Sequence, residues 1–384
     1  MKKIWVISGL LVLSFCLYAC QPVTQTALPT STAMVPTYII VTATSAPTVE
    51  LPTVTAQPTE LPTTTATAAP ATGGQTATLP DISSNSYVDD RSTPAGLMLS
   101  YVNAINRHEY IRAYSYWISP ASTLGSLDAY SNTYTNVASE ALVMGNISED
   151  GAAGSIYYTL PVVFTDTLTD STVIKYTGCY VLRLPQPGNY GEPPIQPMNI
   201  DRGNKTGISS TTSDSDALSS ACNPSDYPAG NTAAPAVQSI SDLGASNYID
   251  NRSGAVEVVS SLLNAINRKE YVRAYSYWEN AASSVGNFDN YAAGYKDTGS
   301  VTAKFGSVSS DAGAGNFYYK IPLAMFVTTT SNTQQTFVGC YTLHLSNPGM
   351  QGTLPFQPLA TKSGKFTKVA NGTDVAPLLA TACN

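Results

Sequence analysis

The sequence predicts an α+β protein with two tandem repeats, each a helical hairpin packed on a curved antiparallel sheet. The stretch YVNAINRHEYIRAYSYW at 101–117 returns almost unchanged as LLNAINRKEYVRAYSYW at 262–278. Helical spacing in these stretches gives way further along each repeat to the two-residue alternation of strands. Every matched segment keeps the same offset of 161 residues. Helices followed by a run of antiparallel strands indicate the α+β class.

The chain begins with the features of an export signal. Lys2 and Lys3 precede an apolar run over 4–18 that is too short to span a bilayer. The run ends in LYAC, which resembles the bacterial lipobox, whose cysteine receives a lipid after cleavage. We therefore expect 1–20 to be a lipoprotein signal peptide and Cys20 to anchor the protein to the outer face of a bacterial membrane or to the cell surface. The alternative is an ordinary secreted protein.

Residues 21–86 are rich in Thr, Pro and Ala and contain no Lys or Arg. Such a composition cannot bury enough apolar surface to offset the chain entropy lost on folding. We expect a disordered stalk that holds the folded part away from the membrane. Its threonines either carry O-linked sugars or form a bare polar linker.

Beyond the stalk, the constant offset defines copy one as 87–223 and copy two as 248–384, joined by a linker at 224–247. Each copy has a length typical of a single domain. The period is too long for a solenoid repeat.

The cysteines predict two disulfides, because the same spacing of 43 residues occurs once in each copy. In an exported protein, an even set with repeated spacing favours pairing within each copy. The expected pairs are Cys179 with Cys222 and Cys340 with Cys383. A zinc site is the alternative, but the sequence has no close cysteine pair and only two histidines. We expect no metal and no cofactor.

Two helices are predicted at the start of each copy. In copy one, Thr93 and Pro94 provide a cap and a first-turn residue. The apolar stripe of the first helix consists of Leu97, Tyr101, Ala104 and Ile105. After the corner NRHE, the apolar face of a second helix consists of Tyr110, Ala113, Tyr114 and Trp117. Trp117 and its counterpart Trp278 are expected in the core.

Strands follow the helices. The alternating segments SIYYTLPVVF and KYTGCYVLRL predict two strands separated by a turn at TDTLTDST. Copy two repeats this pattern in NFYYKIPLAMF and TFVGCYTLHL. Each copy is therefore expected to end in an antiparallel meander.

The text NAIN-R-x-E-Y-x-R-A-Y-S-Y-W followed by strands resembles the nuclear transport factor two-like superfamily, which includes ketosteroid isomerase-like enzymes and many catalytically silent modules. The resemblance covers both copies and implies a cone-like fold. The disulfide near the end of each copy departs from the enzymes of that superfamily. We therefore transfer no catalytic residue from it.

Polar residues that recur between the copies are the candidates for a site. In copy one they are Asp89, Arg91, Asn103, Asn106, Arg107, Glu109, Arg112, Asp128 and Tyr130. We interpret Glu109 and Arg112 as a surface pair three residues apart on a helix. His108 and His344 do not recur, so we interpret them as surface residues rather than as catalytic bases.

The strongest site candidates are Asp128 with Tyr130 and Asp289 with Tyr291. An acid beside a phenol can bind a ligand or move a proton if the sheet encloses both groups. The alternative is that each Asp is an ordinary first-turn residue of a short helix.

Charge narrows the choice of partners. Copy one carries seven basic and thirteen acidic residues, and copy two carries ten and eight. Neither copy contains a dense basic patch, so we expect no nucleic-acid partner. The 24 tyrosines in the chain suit sugars and protein surfaces alike. The leading hypothesis is an anchored module that binds an envelope polysaccharide or protein partner without catalysis. The alternatives are an isomerase- or hydrolase-type enzyme and a purely structural envelope component.

Overall fold

A computed structural model describes residues 80–223, 225 and 232–384. The predicted signal peptide, Cys20 and the predicted stalk up to residue 79 lie outside the described residues. Among the described helices, none is long and apolar enough to cross a membrane.

The helical hairpin at the start of copy one forms where the capping residues predict it. The hydroxyl of Thr93 accepts a hydrogen bond from the backbone N–H of Gly96 at 3.0 Å, and Pro94 occupies the first turn. Arg107 ends this helix, and His108 then turns the chain with a φ of +56°. The positive φ of His108, matched by Lys269 at +61° in copy two, turns the chain so that the second helix folds back on the first.

The helices have the following bounds. In copy one they are α1 (Pro94–Asn106), α2 (Tyr110–Ser115), α3 (Pro120–Thr123), α4 (Leu127–Asn132) and α5 (Asp214–Ala221). In copy two they are α6 (Ala255–Asn267), α7 (Tyr271–Ser276), α8 (Ala281–Ser284), α9 (Phe288–Gly294) and α10 (Ala376–Leu379). Short 3₁₀ turns lie at Pro187–Asn189 and Pro348–Met350.

The strands divide between two sheets. In the first sheet they are β1 (Val137–Met144), β2 (Ile147–Ala152), β3 (Ser155–Leu168), β4 (Val173–Pro185), β5 (Asn199–Gly203), β6 (Thr206–Ile208) and β7 (Thr232–Ala233). In the second sheet they are β8 (Thr298–Phe305), β9 (Ser309–Gly313), β10 (Asn316–Thr329), β11 (Gln334–Ser346) and β12 (Ala360–Val369). These two antiparallel sheets, with the helices, confirm the α+β class.

A long central hairpin organises each sheet. In copy one, β3 pairs with β4, β5 and β6 extend the β4 side, and β1 and β2 share the other side of β3. Copy two has the order β12–β11–β10–β8, and β9 also pairs with β10. Pro161 lies in β3 between the stretch that pairs with β2 and the stretch that pairs with β1. A proline is tolerated there because the position lies between the two paired stretches, where no neighbouring strand requires the missing N–H.

The turn between the central strands is shorter than predicted. β3 continues to Leu168, so Thr165, Asp166 and Thr167 are strand residues that pair with both β4 and β1. Local sequence favours a turn at these polar residues, but two neighbouring strands and a buried ion pair of Asp166 hold them in the sheet.

The repeated helical text packs into the core, as predicted for its tryptophans. Trp117 is 5% exposed and Trp278 is 8% exposed. The ring of Trp117 makes edge contacts with Tyr101 at 6.2 Å and Tyr180 at 5.9 Å. The tryptophan therefore joins α1 to the face of β4.

Glu109 and Arg112 form the predicted pair, but its predicted place at the surface is wrong, because both side chains are buried. Arg112 is 0% exposed and its Nε donates to Glu109 at 2.6 Å. Its terminal nitrogens donate to the carbonyl of Val88 at 2.6 Å and to the Asn103 side chain at 2.9 Å. Arg273 makes the equivalent contacts in copy two. The segment before α1 covers this side of the helix, which helical spacing cannot reveal.

Both expected disulfides form. Cys179 in β4 bonds to Cys222 just after α5, and Cys340 in β11 bonds to Cys383 after α10. Each bridge holds a C-terminal helix against the central hairpin of its own copy, because α5 contacts β3 and β4 while α10 contacts β10 and β11. The two disulfides fit an extracellular protein.

Candidate functional site

The acid and phenol singled out in the sequence are not brought together in either copy. Ser126 caps α4 and leaves Asp128 exposed in the first turn, whereas Tyr130 is 3% exposed in the core. Residues two apart on a helix point to different sides. Asp289 and Tyr291 have the same arrangement in α9, one exposed and the other buried.

Aromatic side chains fill the space between the helices and the sheet of copy one. The hydroxyl of Tyr130 donates to that of Tyr101 at 3.2 Å, and Tyr101 lies 3.2 Å from the hydroxyl of Tyr134. All three residues belong to one buried cluster that also contains Trp117 and Tyr180. This interior is therefore packed core rather than an open binding cavity.

The two copies contact each other through reciprocal hydrogen bonds. The backbone N–H of Arg91 donates to the carbonyl of Asp250 at 2.7 Å. The N–H of Arg252 donates to the carbonyl of Asp89 at 2.6 Å. Each bond becomes the other when donor and acceptor are moved by the 161-residue offset. Such reciprocity is the signature of a two-fold contact, here between two parts of one chain.

A second pair of bonds follows the same rule. The N–H of Asp89 donates to the Ser253 hydroxyl at 2.9 Å, and the N–H of Asp250 donates to the Ser92 hydroxyl at 2.8 Å. The segments that precede α1 and α6 are thus fastened to each other as well as to their own helices. Their recurring polar residues serve the contact between copies.

A cleft of about 380 Å³ lies at this contact. Its walls include Arg91 and Asn199 from copy one and Arg252 from copy two. Ile195 and Phe356, which correspond to each other across the offset, supply apolar surface. The volume lies in the range of about 300–1,000 Å³ that small-molecule sites occupy.

The guanidinium groups in the cleft are held in fixed orientations. Arg91 donates to the side chain of Asn199 at 2.5 Å and lies 4.5 Å above the ring of Tyr116. Arg252 lies 4.5 Å above the ring of Tyr277 and donates to the carbonyl of residue 276 at 3.1 Å. Stacking on an aromatic face keeps a planar guanidinium pre-oriented for hydrogen bonding.

Carboxylates balance these cations. Asp89 accepts a hydrogen bond from the Tyr116 hydroxyl at 2.9 Å, and Asp250 accepts one from Tyr277 at 2.8 Å. Burial, reinforced by the charge of Asp89, raises the pKa of Tyr116, so this hydroxyl stays a donor at neutral pH. The cleft therefore presents both donors and acceptors to a ligand.

A second polar cluster lies within copy one. The ammonium group of Lys205 contacts the carboxyl groups of Glu140 and Asp166, which are almost fully buried. Three aromatic rings surround this ammonium group at 4.7 to 5.6 Å. They are the rings of Tyr134, Phe164 and Tyr176.

Two carboxyl groups share this single lysine. Burial raises the pKa of Glu140 to about 8 and outweighs the charge of Lys205, while a hydrogen bond to Asp166 acts in the same direction as burial. Oε1 of Glu140, the oxygen that does not contact Lys205, accepts no hydrogen bond from the described residues. A protonated Glu140 that donates to Asp166 accounts for both observations.

Copy two replaces the whole cluster by apolar residues. The positions 161 residues after Glu140, Asp166 and Lys205 are Val301, Val327 and Phe366. These residues belong to the apolar core of copy two or pack against it. The charges in copy one are therefore not a requirement of this arrangement of strands.

This comparison predicts the effect of removing the charges. Lys205→Met should lower the free energy of unfolding by about 2 kcal/mol, because two buried carboxyl groups lose their cation. The triple variant Glu140→Val, Asp166→Val, Lys205→Phe should recover that loss, since it installs the apolar set of copy two. Urea titration of the variants measures both effects. A triple variant no more stable than Lys205→Met would contradict the prediction.

The same titration at several pH values provides a second readout. The raised pKa of Glu140 means that the folded state binds this proton more tightly than the unfolded state does. Its contribution to stability should therefore fall as the pH rises from about 4.5, its unfolded pKa, through about 8. The triple variant should lack this pH-dependent fall.

The two histidines differ in exposure. His108 is exposed, as expected. His344 is half-buried, so its prediction as a surface residue is wrong. Its two ring nitrogens lie 2.8 Å from Glu279 and 2.8 Å from Asn316. Across residues 80–223 and 232–384, no group of three or more His, Cys, Asp or Glu side chains is arranged to hold a metal ion.

The recurrence of polar residues identified Asp89 and Arg91 as site candidates, but the sequence did not predict the cleft that they line. Asp89, Arg91 and their counterparts recur at the 161-residue offset, but recurrence does not indicate that they contact the other copy. The buried charged cluster carried a different signal, because its residues do not recur. Copy two has apolar residues at the positions that correspond to Glu140, Asp166 and Lys205.

The chain matches no protein family, no curated protein and no solved structure.

Proposed function

We propose that this chain is a lipid-anchored protein of the bacterial cell surface that binds an envelope polysaccharide in the cleft between its two copies, without catalysis. The two copies are proposed to be cone-like modules similar to nuclear transport factor two-like domains. The observation that carries the proposal is the cleft of about 380 Å³ with stacked arginines on both sides.

The chemistry of the cleft suits a sugar. Arg91, Arg252 and Asn199 offer planar donors and acceptors to ring hydroxyls, and Ile195 and Phe356 offer apolar surface to the C–H face of a sugar ring. The size of the cleft suits one or two sugar units of a longer chain. A protein partner is the other class of ligand that such an amphipathic surface can bind.

The alternative functions differ in support. The enzyme alternative relied on an acid and a phenol in one enclosed site, and the observed placement of Asp128 and Tyr130 gives it no such pair. The purely structural alternative is favoured by the packed aromatic interior of copy one. It does not account for the pre-oriented arginines of the cleft.

Anchoring rests on the N-terminal sequence. A lipobox-like LYAC ending at Cys20, a Thr/Pro/Ala-rich segment after it and disulfides in both copies are the combination expected of an exported, tethered module. The stalk would hold the cleft away from the lipid surface, where polysaccharide is accessible.

The proposal is tested with an array of neutral and acidic bacterial oligosaccharides and the purified chain. Phe356→Ala and Ile195→Ala should each weaken binding about tenfold, the usual effect of truncating an apolar anchor. Met350→Ala, at an exposed residue outside the cleft, should leave binding unchanged. Thermal unfolding of each variant separates lost binding from lost folding.

Binding activity in fractionated cells tests the anchor in the same assay. It should sediment with membranes in the native chain and move to the soluble fraction in Cys20→Ala. Absence of binding to every oligosaccharide, or equal binding by the Phe356 and Met350 variants, would contradict the polysaccharide proposal.

A further inference from the structure

The linker is seated on copy one by strand pairing. Thr232 and Ala233 form β7 and pair with Ser148 and Ile147 at the edge of β2. Three residues further on, the carbonyl of residue 236 accepts a hydrogen bond from the Thr93 hydroxyl at 2.8 Å. The segment that leads into copy two therefore lies on copy one.

The corresponding edge in copy two is open in the part of the chain that the structure describes. There β9 pairs with β10 alone, whereas β2 has β3 on one side and β7 on the other. Ser148 is 2% exposed beneath the linker, but its counterpart Ser309 is exposed, and every residue of β9 is exposed. An unpaired edge offers its N–H and C=O groups to another strand.

The sequence contains a second segment suited to this edge. The linker reads TAAPA at 232–236, and the same five residues occur at 67–71 in the stalk, outside the described residues. We propose that residues 67–71 of the stalk add to the edge of β9 as the linker adds to β2, with Thr67 opposite Ser309 and Ala68 opposite Val308.

The two-fold contact between the copies explains why the stalk should reach copy two. Residues 232–236 of the linker lie on copy one, although residues 243–247 hydrogen-bond to copy two. Residues 82–86 likewise hydrogen-bond to copy one, and the two-fold relation would bring the part of the stalk ahead of them to copy two. The tyrosines follow the same rule, since Tyr87 packs against the core of copy two and Tyr248 against the core of copy one.

Chain length permits the docking. Fifteen residues separate Ala233 from Tyr248, and nineteen separate Ala68 from Tyr87. The stalk therefore has four residues more than the equivalent path requires. The docked stalk would lack one hydrogen bond that the linker makes, the bond from the Thr93 hydroxyl to the carbonyl of residue 236. The counterpart of Thr93 is Gly254, which has no hydroxyl.

Strand addition would bury the edge of β9 and fold back part of the stalk. Only the residues before about Thr67 would then separate the anchor from the folded part. The docking concerns a surface distinct from the cleft, so it stands or fails independently of polysaccharide binding.

Disulfide trapping in the full-length chain tests the docking. Thr67→Cys with Ser309→Cys should form a new disulfide within one chain, found by peptide mapping without reductant. Thr55→Cys with Ser309→Cys is the matched control, since residues 55–56 are also Thr-Ala but are followed by Gln-Pro. Ser148→Cys with Thr232→Cys is the positive control, because those residues are paired directly.

The disulfide yield of the Thr67→Cys, Ser309→Cys variant should approach that of the positive control. It should exceed the yield of the Thr55→Cys, Ser309→Cys variant by about tenfold, because a formed contact keeps the two thiols close together. Equal yields for Thr67 and Thr55 would overturn the proposal. A cross-link found only between two chains would also overturn it, because the occupant would then be the stalk of a second protein molecule.

Hydrogen exchange of the intact chain gives a second measurement. Thr67→Pro with Ala68→Pro removes the two backbone donors of the segment and should speed exchange of the β9 amides about tenfold. Thr55→Pro with Ala56→Pro is the matched control and should leave them unchanged. Unchanged exchange in both variants would count against strand addition.

Discussion

Arg112→Met is expected to lower the free energy of unfolding by about 3 to 5 kcal/mol. The guanidinium is fully buried and donates to Glu109, Val88 and Asn103. Its loss leaves the carboxylate of Glu109 and the carbonyl of Val88 buried without this donor. Arg107 still pairs with the other oxygen of Glu109 at 2.7 Å, so the loss comes from the several acceptors that Arg112 leaves buried without a donor.

Arg112→Lys should be almost as damaging, because one ammonium group cannot reproduce a planar fork that reaches several acceptors. Guanidinium titration followed by circular dichroism measures both variants. Arg202→Met is the control, since that arginine is 61% exposed and its ion pair should contribute less than about 1 kcal/mol. An Arg112→Met chain as stable as the control would show that the network is dispensable.

Trp117→Ala is the second large effect, also expected at about 3 to 5 kcal/mol. The change leaves a cavity between α1 and the sheet, where the ring contacts Tyr101 and Tyr180. Trp278→Ala should have a similar effect, because Trp278 makes an edge contact with Tyr341, the counterpart of Tyr180. Trp117→Phe, which keeps most of the apolar volume, should be much milder.

Calorimetry measures the loss, and it should appear as a lower unfolding temperature in each alanine variant. The oligosaccharide array distinguishes scaffold from site, because a core tryptophan should not alter binding by the protein that remains folded. Unchanged stability together with lost binding would contradict the interpretation of the repeated helix text as scaffold.

Much of the fold was accessible from the sequence because its signals are local. Thr93 and Pro94 predicted the start of α1, and alternating residues predicted the central hairpin in both copies. Equal cysteine spacing predicted both disulfides. The extent of β3 was not accessible, because its polar end at Thr165–Thr167 becomes a strand only when β1 and β4 pair with it.

The candidate site was less accessible. Asp128 and Tyr130 are only two residues apart in the sequence, but the geometry of α4 separates them, one to solvent and one to the core. The cleft joins residues such as Arg91 and Arg252, whose side chains lie close only because the copies meet. Recurrence marked these residues as important without indicating the contact they make.

The sequence by itself determined the repeat, the helical start and the central hairpin of each copy, and the pairing of cysteines, because each follows from spacing within a short segment or from one constant offset. Only the tertiary structure decided that Glu109 and Arg112 are buried. It also decided that Asp89 and Arg91 contact copy two and that the linker pairs with β2. Burial and pairing of these groups depend on contacts between residues far apart in the chain. No local periodicity encodes which distant segment will exclude water from a given charge.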